Sequence, residues 1–238
     1  FMDLGKTIHE EDQDSYLMTA DIDVLNRLII PSYLAQMTGT CLVNDETYEL
    51  NFTQEQMEKA FQLVKDLYSS NTVEPFGEGS VFAGQMDQNT KWVNGQIGLL
   101  LDITGGLAKY KASISSELDV LPIPRNTDAK CSGVDFAGNT GFCINDNSAV
   151  KEEAVKVLNY LINDIDCNKV LLAERGIPAT TVVADAISAE LPEASQKEIE
   201  FINTVVAPNA STISPCPPTT AAELFKKADN LVEEILYG

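Results

Sequence analysis

The sequence predicts an α/β fold, chiefly because of residues 94–111. The apolar run Ile97–Leu101 has the length and composition of a buried strand. It ends at Asp102, Thr104 and two glycines, after which Leu107–Lys111 looks like the beginning of a helix. In an open α/β sheet, ligands bind at such turns, at the carboxyl ends of strands. A plain connection without a binding role is the alternative, and the absence of GxGxxG and GxxxxGK[ST] argues against a nucleotide.

Other extended segments are predicted from short apolar or β-branched runs bounded by turn residues. Glycine inside such a run often marks a bulge or a close backbone approach. The predicted segments are Tyr16–Met18, a hairpin over 41–52 that turns at Asn44-Asp45, Leu118–Ile123, a glycine-interrupted strand over 136–144, and Ala179–Ala184.

Helices are predicted where a capping residue precedes apolar residues spaced three or four apart. Thr53 and Gln56 form a capping box before a helix whose buried face includes Met57 and Val64. Two more helices are predicted to begin near Asp21 and at Ser148, the second with Val157 among its inward residues. Two others are predicted over 195–206 and 220–236, with capping boxes formed by Ser195 and Glu198 and by Thr220 and Glu223.

The composition argues against several kinds of partner and chemistry. Lys plus Arg number 16 and Asp plus Glu number 36, so the net charge is 16 − 36 = −20, which repels nucleic-acid phosphates and anionic lipid. The single histidine, His9, argues against a histidine-based triad or zinc site. The five cysteines form no CxxC pair, and free buried thiols are favoured over disulfides. Neither a cofactor nor a metal ion is predicted.

Several segments, in order along most of the chain, resemble one family. The resemblance is to the extracellular solute-binding proteins of ABC importers, in the sugar-type group that includes the maltose-binding protein. The segments that carry it are Leu50–Thr53 before an amphipathic helix, Asn94–Gly98 before the strand and glycine turn, Val120–Pro124, Gly138–Asn145, and Arg175–Ala179 with the sequence RGIPA.

The resemblance implies an α/β periplasmic-binding-protein-like (type II) fold, in which two lobes close on a ligand and the chain crosses between them. Residues 1–135 and 185–238 would form the C-terminal lobe, and residues 140–180 a returning segment of the N-terminal lobe. The opening residues Phe1–Lys6 look like the middle of a helix. We therefore expect a truncated or processed piece that begins just after the first crossing.

The resemblance also implies a set of ligand-contacting residues. They are Asp21 and Asp23 at a helix start, Asp102, Thr104 and Gly105 in the strand-end turn, Asn139 and Thr140 in a crossing strand, and Asn209 in a proline-rich loop. Gly105 stands near the position where the family usually has a tryptophan that stacks on a sugar ring. The departure leaves room for another polar solute.

Structural roles compete with these assignments. Asp21 and Asp23 could simply cap a helix. Asp102 is the better ligand candidate, because a carboxylate at a strand end has little structural work. For Trp92, core packing is favoured over ligand stacking.

We therefore expect a non-enzymatic binding protein that captures a carbohydrate outside the cell and delivers it to the permease subunits of an ABC transporter. The expected protein is a monomer, either periplasmic or tethered to the outer face of the membrane as a lipoprotein. One alternative is a binding protein for another small polar solute. Another is a glycan-acting enzyme with two carboxylates across a sugar, and a third is an interaction domain without a small ligand.

Overall fold

Helices account for most of the secondary structure. The computed structural model describes residues 1–44, 46–103, 105–134, 141–173, 176–209 and 221–237. Its helices are α1 (Met2–Glu11), α2 (Ile30–Thr38), α3 (Gln54–Ser69), α4 (Phe76–Gly79), α5 (Thr90–Val93), α6 (Leu107–Ser113), α7 (Lys151–Asn163), α8 (Ile165–Leu171), α9 (Thr181–Ile187), α10 (Glu193–Phe201), α11 (Ala207–Asn209) and α12 (Ala221–Tyr237). π-helical segments over Val24–Ile29 and Ile202–Val206 lead into α2 and α11.

Two short parallel strands organise the helices. Strand β1 (Tyr16–Met18) pairs with β2 (Ile97–Leu99) in the register Tyr16↔Ile97. Met18 also forms a parallel bridge with Val73. The three segments run in the same direction, so their carboxyl ends lie at the same edge of the sheet. The structure therefore confirms the strand predicted over 16–18, a shorter strand within 97–101, and the helix predicted at Leu107.

The core lies around β1. Leu25, Leu34, Val64 and Val232 are fully buried in one cluster that joins α2, α3 and α12 to the strand. A second cluster, here called the aromatic cluster, consists of Tyr16, Met86, Trp92, Ile97 and Tyr110. Trp92 is 3% exposed. The prediction that Trp92 is a core residue is confirmed.

The capping box predicted for α3 is present. The backbone N–H of Gln56 donates to the Thr53 hydroxyl at 3.3 Å, and the backbone N–H of Thr53 donates to the Gln56 side chain at 2.8 Å. The predicted hairpin over 41–52 is confirmed by an antiparallel bridge between Val43 and Leu50. The turn residue Asp45 lies outside the described residues.

Two predicted extended segments are wrong. No strand forms over 118–123, where Pro122 cannot donate to a ladder while Leu118 packs on the aromatic cluster. Ala179–Ala184 lies largely in α9, because Val183 and Ile187, four residues apart, are both buried against Leu191. Burial of this helical stripe outweighs the preference of valine for strands.

Helix α7 forms where a helix was predicted, but its packing was not anticipated. None of its 13 residues is buried. Val157, which was predicted to point inward, is 58% exposed. The other residues of its apolar stripe, Ala154, Leu158, Leu161 and Ile162, are only partly buried, so the described residues cover this stripe incompletely.

The buried side chain of Gln36 holds the loop over 124–132 against α2. Its amide group donates to the Pro124 carbonyl at 2.9 Å and to the Ser132 carbonyl at 3.2 Å. Its side-chain oxygen accepts from the Asn126 N–H at 2.9 Å. One amide thus satisfies three backbone groups of a loop that has no regular secondary structure.

We expect Gln36→Ala to lower the free energy of unfolding by about 1–3 kcal/mol, because it leaves buried backbone groups without partners. Urea denaturation measures the loss. Gln62→Ala is the matched control, since Gln62 is exposed on α3 and bonds only to Asp66 in the same helix. An equal, small effect of both substitutions would contradict the role of Gln36.

Gly5 permits the close contact between α1 and Thr72. A Cβ atom at Gly5 would lie 2.5 Å from the Thr72 hydroxyl and 2.7 Å from the Thr72 Cα. Glycine to alanine normally stabilises a helix interior, but here we expect Gly5→Ala to destabilise by about 1–3 kcal/mol through overpacking. Thermal unfolding tests this, with the exposed Thr7→Ala as the control, and a gain in stability would show that α1 can move away.

Candidate ligand-binding site

Three acidic residues follow the parallel segments at the carboxyl edge of the sheet. Asp21 follows β1, Glu74 follows Val73, and Asp102 follows β2. This edge is where ligands bind in open α/β sheets. The exposure and the partners of each carboxylate together decide whether it only supports the structure or can also meet a ligand.

Asp21 supports the structure. It is 3% exposed, and its two oxygens accept from the backbone N–H groups of Val24 at 2.8 Å and Gly84 at 3.2 Å. It therefore caps the first helical turn, as one interpretation of the sequence predicted, and fastens the loop that contains Gly84. Asp23 is exposed and forms an ion pair with Arg27 at 2.6 Å, one helical turn away.

Glu74 is a buried carboxyl group with internal partners. It is 2% exposed and accepts from the Asn89 side-chain amide at 2.8 Å. The Lys91 ammonium lies 3.6 Å from its other oxygen. These contacts account for its burial, so Glu74 fixes the loop after Val73.

Asp102 is exposed, yet its orientation is fixed. One oxygen accepts from the Ile103 N–H at 2.7 Å, and the other accepts a short hydrogen bond from the Tyr110 hydroxyl. The Tyr110 ring is 8% exposed and contacts Trp92 edge to face at 6.0 Å. Packing of this tyrosine in the aromatic cluster thus positions the carboxylate at the edge of the sheet.

Gly105 is held by a residue of a distant segment. Its N–H donates a short hydrogen bond to the carboxylate of Glu198 on α10. Gly105 has φ +102°, a conformation that glycine adopts without strain. Glu198 is 9% exposed. We call Asp102, Ile103, Gly105 and Gly106 together with Tyr110 and Glu198 the strand-end site; Thr104 lies outside the described residues.

The strand-end site is electrostatically negative. Burial raises the pKa of the Tyr110 hydroxyl, and its bond to Asp102 and the charges of Asp102, Asp87 and Asp21 raise it further. Burial also raises the pKa of the Glu198 carboxyl; the hydrogen bond from Gly105 lowers it, and the charge of Asp102 raises it. The carboxylates of Asp102 and Glu198 therefore lie together at the turn.

Helix α10 also borders an open groove of about 320 Å³, at the lower end of the volumes typical of ligand pockets. The half-buried ring of Phe201 gives it an apolar wall. Its lining residues are Asp119, Val120, Lys197, Glu200, Phe201 and Thr204.

The remaining predicted site residues are not brought to this turn by the described contacts. Asn209 donates from its side chain to the Val205 carbonyl at 2.7 Å, and its own carbonyl accepts from the Ser132 hydroxyl at 2.5 Å. These contacts join Asn209 to Ser132. Asn139 and Thr140 lie outside the described residues.

Sequence reasoning missed Glu198 and Tyr110 as site residues. Glu198 was assigned to a capping box with Ser195, but α10 begins earlier, at Glu193, and Glu198 lies within the helix. The position of Tyr110, one turn inside the helix that follows Asp102, was the only local signal that its hydroxyl could reach back to the strand end.

Neither a metal centre nor a membrane span emerges from the described residues. No group of three or more His, Cys, Asp or Glu in the described ranges is placed to hold a metal ion. Among the described helices, none combines the length and the apolar character needed to cross a membrane.

No family model matches the chain, but solved structures share its fold. A periplasmic oligogalacturonide-binding protein from Yersinia enterocolitica, in complex with saturated digalacturonic acid, is 18% identical with a TM-score of 0.76, over 99% of this chain and 65% of that chain. An extracellular solute-binding protein of family 1 from Alicyclobacillus acidocaldarius is 19% identical with a TM-score of 0.74, over 100% and 58%. A de novo designed esterase is 18% identical with a TM-score of 0.80, over 100% and 59%.

The chain therefore has the α/β fold of periplasmic solute-binding proteins, and the predicted fold class is confirmed. The chain spans 58–65% of the length of these similar structures.

We expect Glu198→Gln to stabilise the protein at pH 7. The raised pKa means that the folded state holds this proton more tightly than the unfolded chain. The ionised carboxylate therefore lowers stability above its folded pKa, and this cost vanishes below the unfolded value of about 4.3. The amide oxygen of glutamine keeps an acceptor for the Gly105 N–H.

Urea denaturation of both proteins at several pH values measures the difference. The advantage of Glu198→Gln should shrink as the pH falls from 7 to about 4. Glu200→Gln, at an exposed position of the same helix, is the control and should show no such trend. A pH-independent difference for Glu198→Gln would mean that the carboxyl is not perturbed by burial.

Proposed function

We propose that this chain is the substrate-binding component of an ABC transporter, which captures an extracellular carbohydrate and delivers it to membrane permease subunits. The observation that carries the proposal is the strand-end turn, where the exposed, oriented carboxylate of Asp102 lies at the ligand-binding edge of a solute-binding-protein fold. Carboxylate oxygens accept hydrogen bonds from sugar hydroxyls. The similar protein from Yersinia enterocolitica binds an oligogalacturonide, which supports a carbohydrate ligand.

The ligand would contact the turn and the adjoining face of α10. Asp102 accepts from hydroxyls, and Gly105 leaves room for a ring to approach the backbone. Phe201, three residues after Glu198, offers an apolar face of the kind that packs against the C–H side of a sugar. Asp23, Thr104, Asn139, Thr140 and Asn209 remain proposed contacts, and Asp21 is proposed to act by fixing the edge of the sheet.

Capture by two closing lobes fits the proposal. Residues 1–135 and 185–238 would form one lobe, and 140–180 would belong to the second. The incomplete burial of α7 supports this division, because a helix whose main packing surface lies in another lobe has no reason to bury its face in the first. Closure requires only that the closed state bind ligand more tightly than the open state, and it needs no chemistry.

The same function sets the expected location and partners. We place the protein outside the cytoplasmic membrane, as a monomer that is either periplasmic or tethered as a lipoprotein. A permease and a small solute are its expected partners. The net charge of −20 argues against nucleic acid as a further partner.

A binding protein for another small polar solute is the alternative within the same class. A glycan-acting enzyme is the second candidate, and the observation that favours it is the pair formed by Asp102 and Glu198. One of these carboxyls has a raised pKa, as a general acid requires. Release of nitrophenol from nitrophenyl glycosides by the pure protein would favour the enzyme over the binding protein.

A melting-temperature screen of the full natural polypeptide tests the proposed function. We expect one class of mono- or oligosaccharide to raise the melting temperature, because a ligand at about 100 times its dissociation constant stabilises the folded state by about 2.7 kcal/mol. Amino acids, polyols and phosphorylated sugars complete the panel. We expect Asp102→Ala to weaken saccharide binding by about tenfold or more, since it removes an oriented acceptor.

Glu233→Ala is the control, because Glu233 is exposed on α12 away from the turn. It should leave the ligand-induced shift unchanged. A shift with another solute class and none with saccharides would contradict the carbohydrate proposal, while no shift with any class would contradict a solute-binding function.

A further inference from the structure

Two hydrogen-bond donors at the strand-end site are already used by the protein. The Gly105 N–H donates to Glu198, and the Tyr110 hydroxyl donates to Asp102. A third donor, the Ile103 N–H, also bonds to Asp102, at 2.7 Å. These three donors are therefore not available to an anion, which would meet carboxylate acceptors beside them.

Carboxylates of the chain itself lie beside the start of α6, although no described side chain caps this helix. The Asp102 carboxylate lies close to Gly106, the residue before α6, with one oxygen 3.4 Å from where a Cβ of Gly106 would be. The Glu198 carboxylate binds the neighbouring Gly105. Two carboxylates of the chain therefore place negative charge beside the end of the helix that would otherwise favour an anion.

The nearby cations are paired. The Lys109 ammonium lies 2.8 Å from Asp87, and the Lys197 ammonium lies 3.9 Å from Glu193. Within the described residues, neither Asp102 nor Glu198 forms an ion pair with these lysines. Binding a carboxylate or phosphate ligand normally requires an unpaired arginine or lysine.

We propose that the strand-end site accepts neutral or cationic polyhydroxylated solutes and rejects anionic ones such as uronates and phosphorylated sugars, with Asp102 and Glu198 as the residues that set this specificity. The inference rests on the proposed function of this site. Neutral hydroxyls and ammonium groups donate to carboxylates, whereas a ligand carboxylate would be repelled by at least two fixed charges.

Matched saccharides test the specificity by isothermal titration calorimetry at pH 7.5. One set pairs digalacturonic acid with its carboxyl-reduced form; a second compares cellobiose, cellobiouronic acid and the disaccharide of glucosamine. In the set that binds, we expect the uronate to bind about tenfold or more weakly than its neutral counterpart. The amino sugar should bind at least as well as the neutral one.

Charge-neutral variants and added salt test whether the two carboxylates cause the weaker binding of the uronate. Asp102→Asn and Glu198→Gln should each narrow the ratio of neutral to uronate affinity, and Glu233→Gln should leave it unchanged. If a variant fails to fold, the wild-type protein still provides the test, because raising the salt from about 0.05 M to about 0.5 M should narrow the same ratio by screening.

A uronate that binds as tightly as its neutral counterpart would overturn the inference and leave the proposed function standing. A ratio that is unchanged both by salt and by the folded variants would also overturn it. If no saccharide in either set binds, while the panel screen also shows no saccharide shift, the proposed function fails and the inference fails with it.

Discussion

The geometry of the strand-end site depends on the hydrogen bond between the Gly105 N–H and the Glu198 carboxylate, which joins segments 93 residues apart. The turn that contains Gly105 connects β2 to α6, and Glu198 lies on α10, so one bond fixes two helices relative to the end of a strand. A carboxylate out of water destabilises a protein unless its oxygens are bonded. The same requirement explains Asp21, whose two oxygens both accept backbone N–H groups. Acidic residues at this edge therefore determine the backbone around them.

Tyr110 connects the core to the site. The strands are only three residues long, so they supply little rigidity by themselves, and helix packing has to position the residues that follow them. The Tyr110 ring packs against Trp92 of α5. The indole N–H of Trp92 donates at 2.9 Å to the hydroxyl of Ser113, which lies on α6 with Tyr110. The hydroxyl of Tyr110 reaches Asp102 at the surface. A buried aromatic ring with one polar atom is suited to this role, because its packing fixes where the polar atom lies.

Local patterns predicted those parts of the structure that local interactions decide. The strand, glycine turn and helix of 97–113 and the Thr53–Gln56 capping box were recognisable because each depends on neighbouring residues. Glu198 was not, since its partner is Gly105, and a capping-box pattern three residues after Ser195 offered a local explanation instead. The helix that contains Val183 and Ile187 was missed as well, because burial against Leu191 outweighed the preference of valine for strands. The family resemblance indicated the fold and proposed Asp102 and Gly105 as ligand contacts. Capping by Asp21 was a local alternative, but no local pattern showed its second bond, to the distant Gly84.

Carboxylate acceptors that the protein itself orients can discriminate between ligands mainly by repelling those of like charge. Asp102 is held by two hydrogen bonds, so little conformational entropy would be lost if it bound a ligand as proposed. Hydroxyls of many polar solutes could satisfy such an acceptor, and shape alone discriminates weakly among them. Repulsion between like charges acts over about 8–10 Å at moderate salt, beyond the range of a hydrogen bond. With a net charge of −20, the field of the whole protein and the carboxylates at the turn act in the same direction. An anionic solute would therefore be disfavoured before it reached the hydrogen-bonding groups, which separates ligand classes without any dedicated contact.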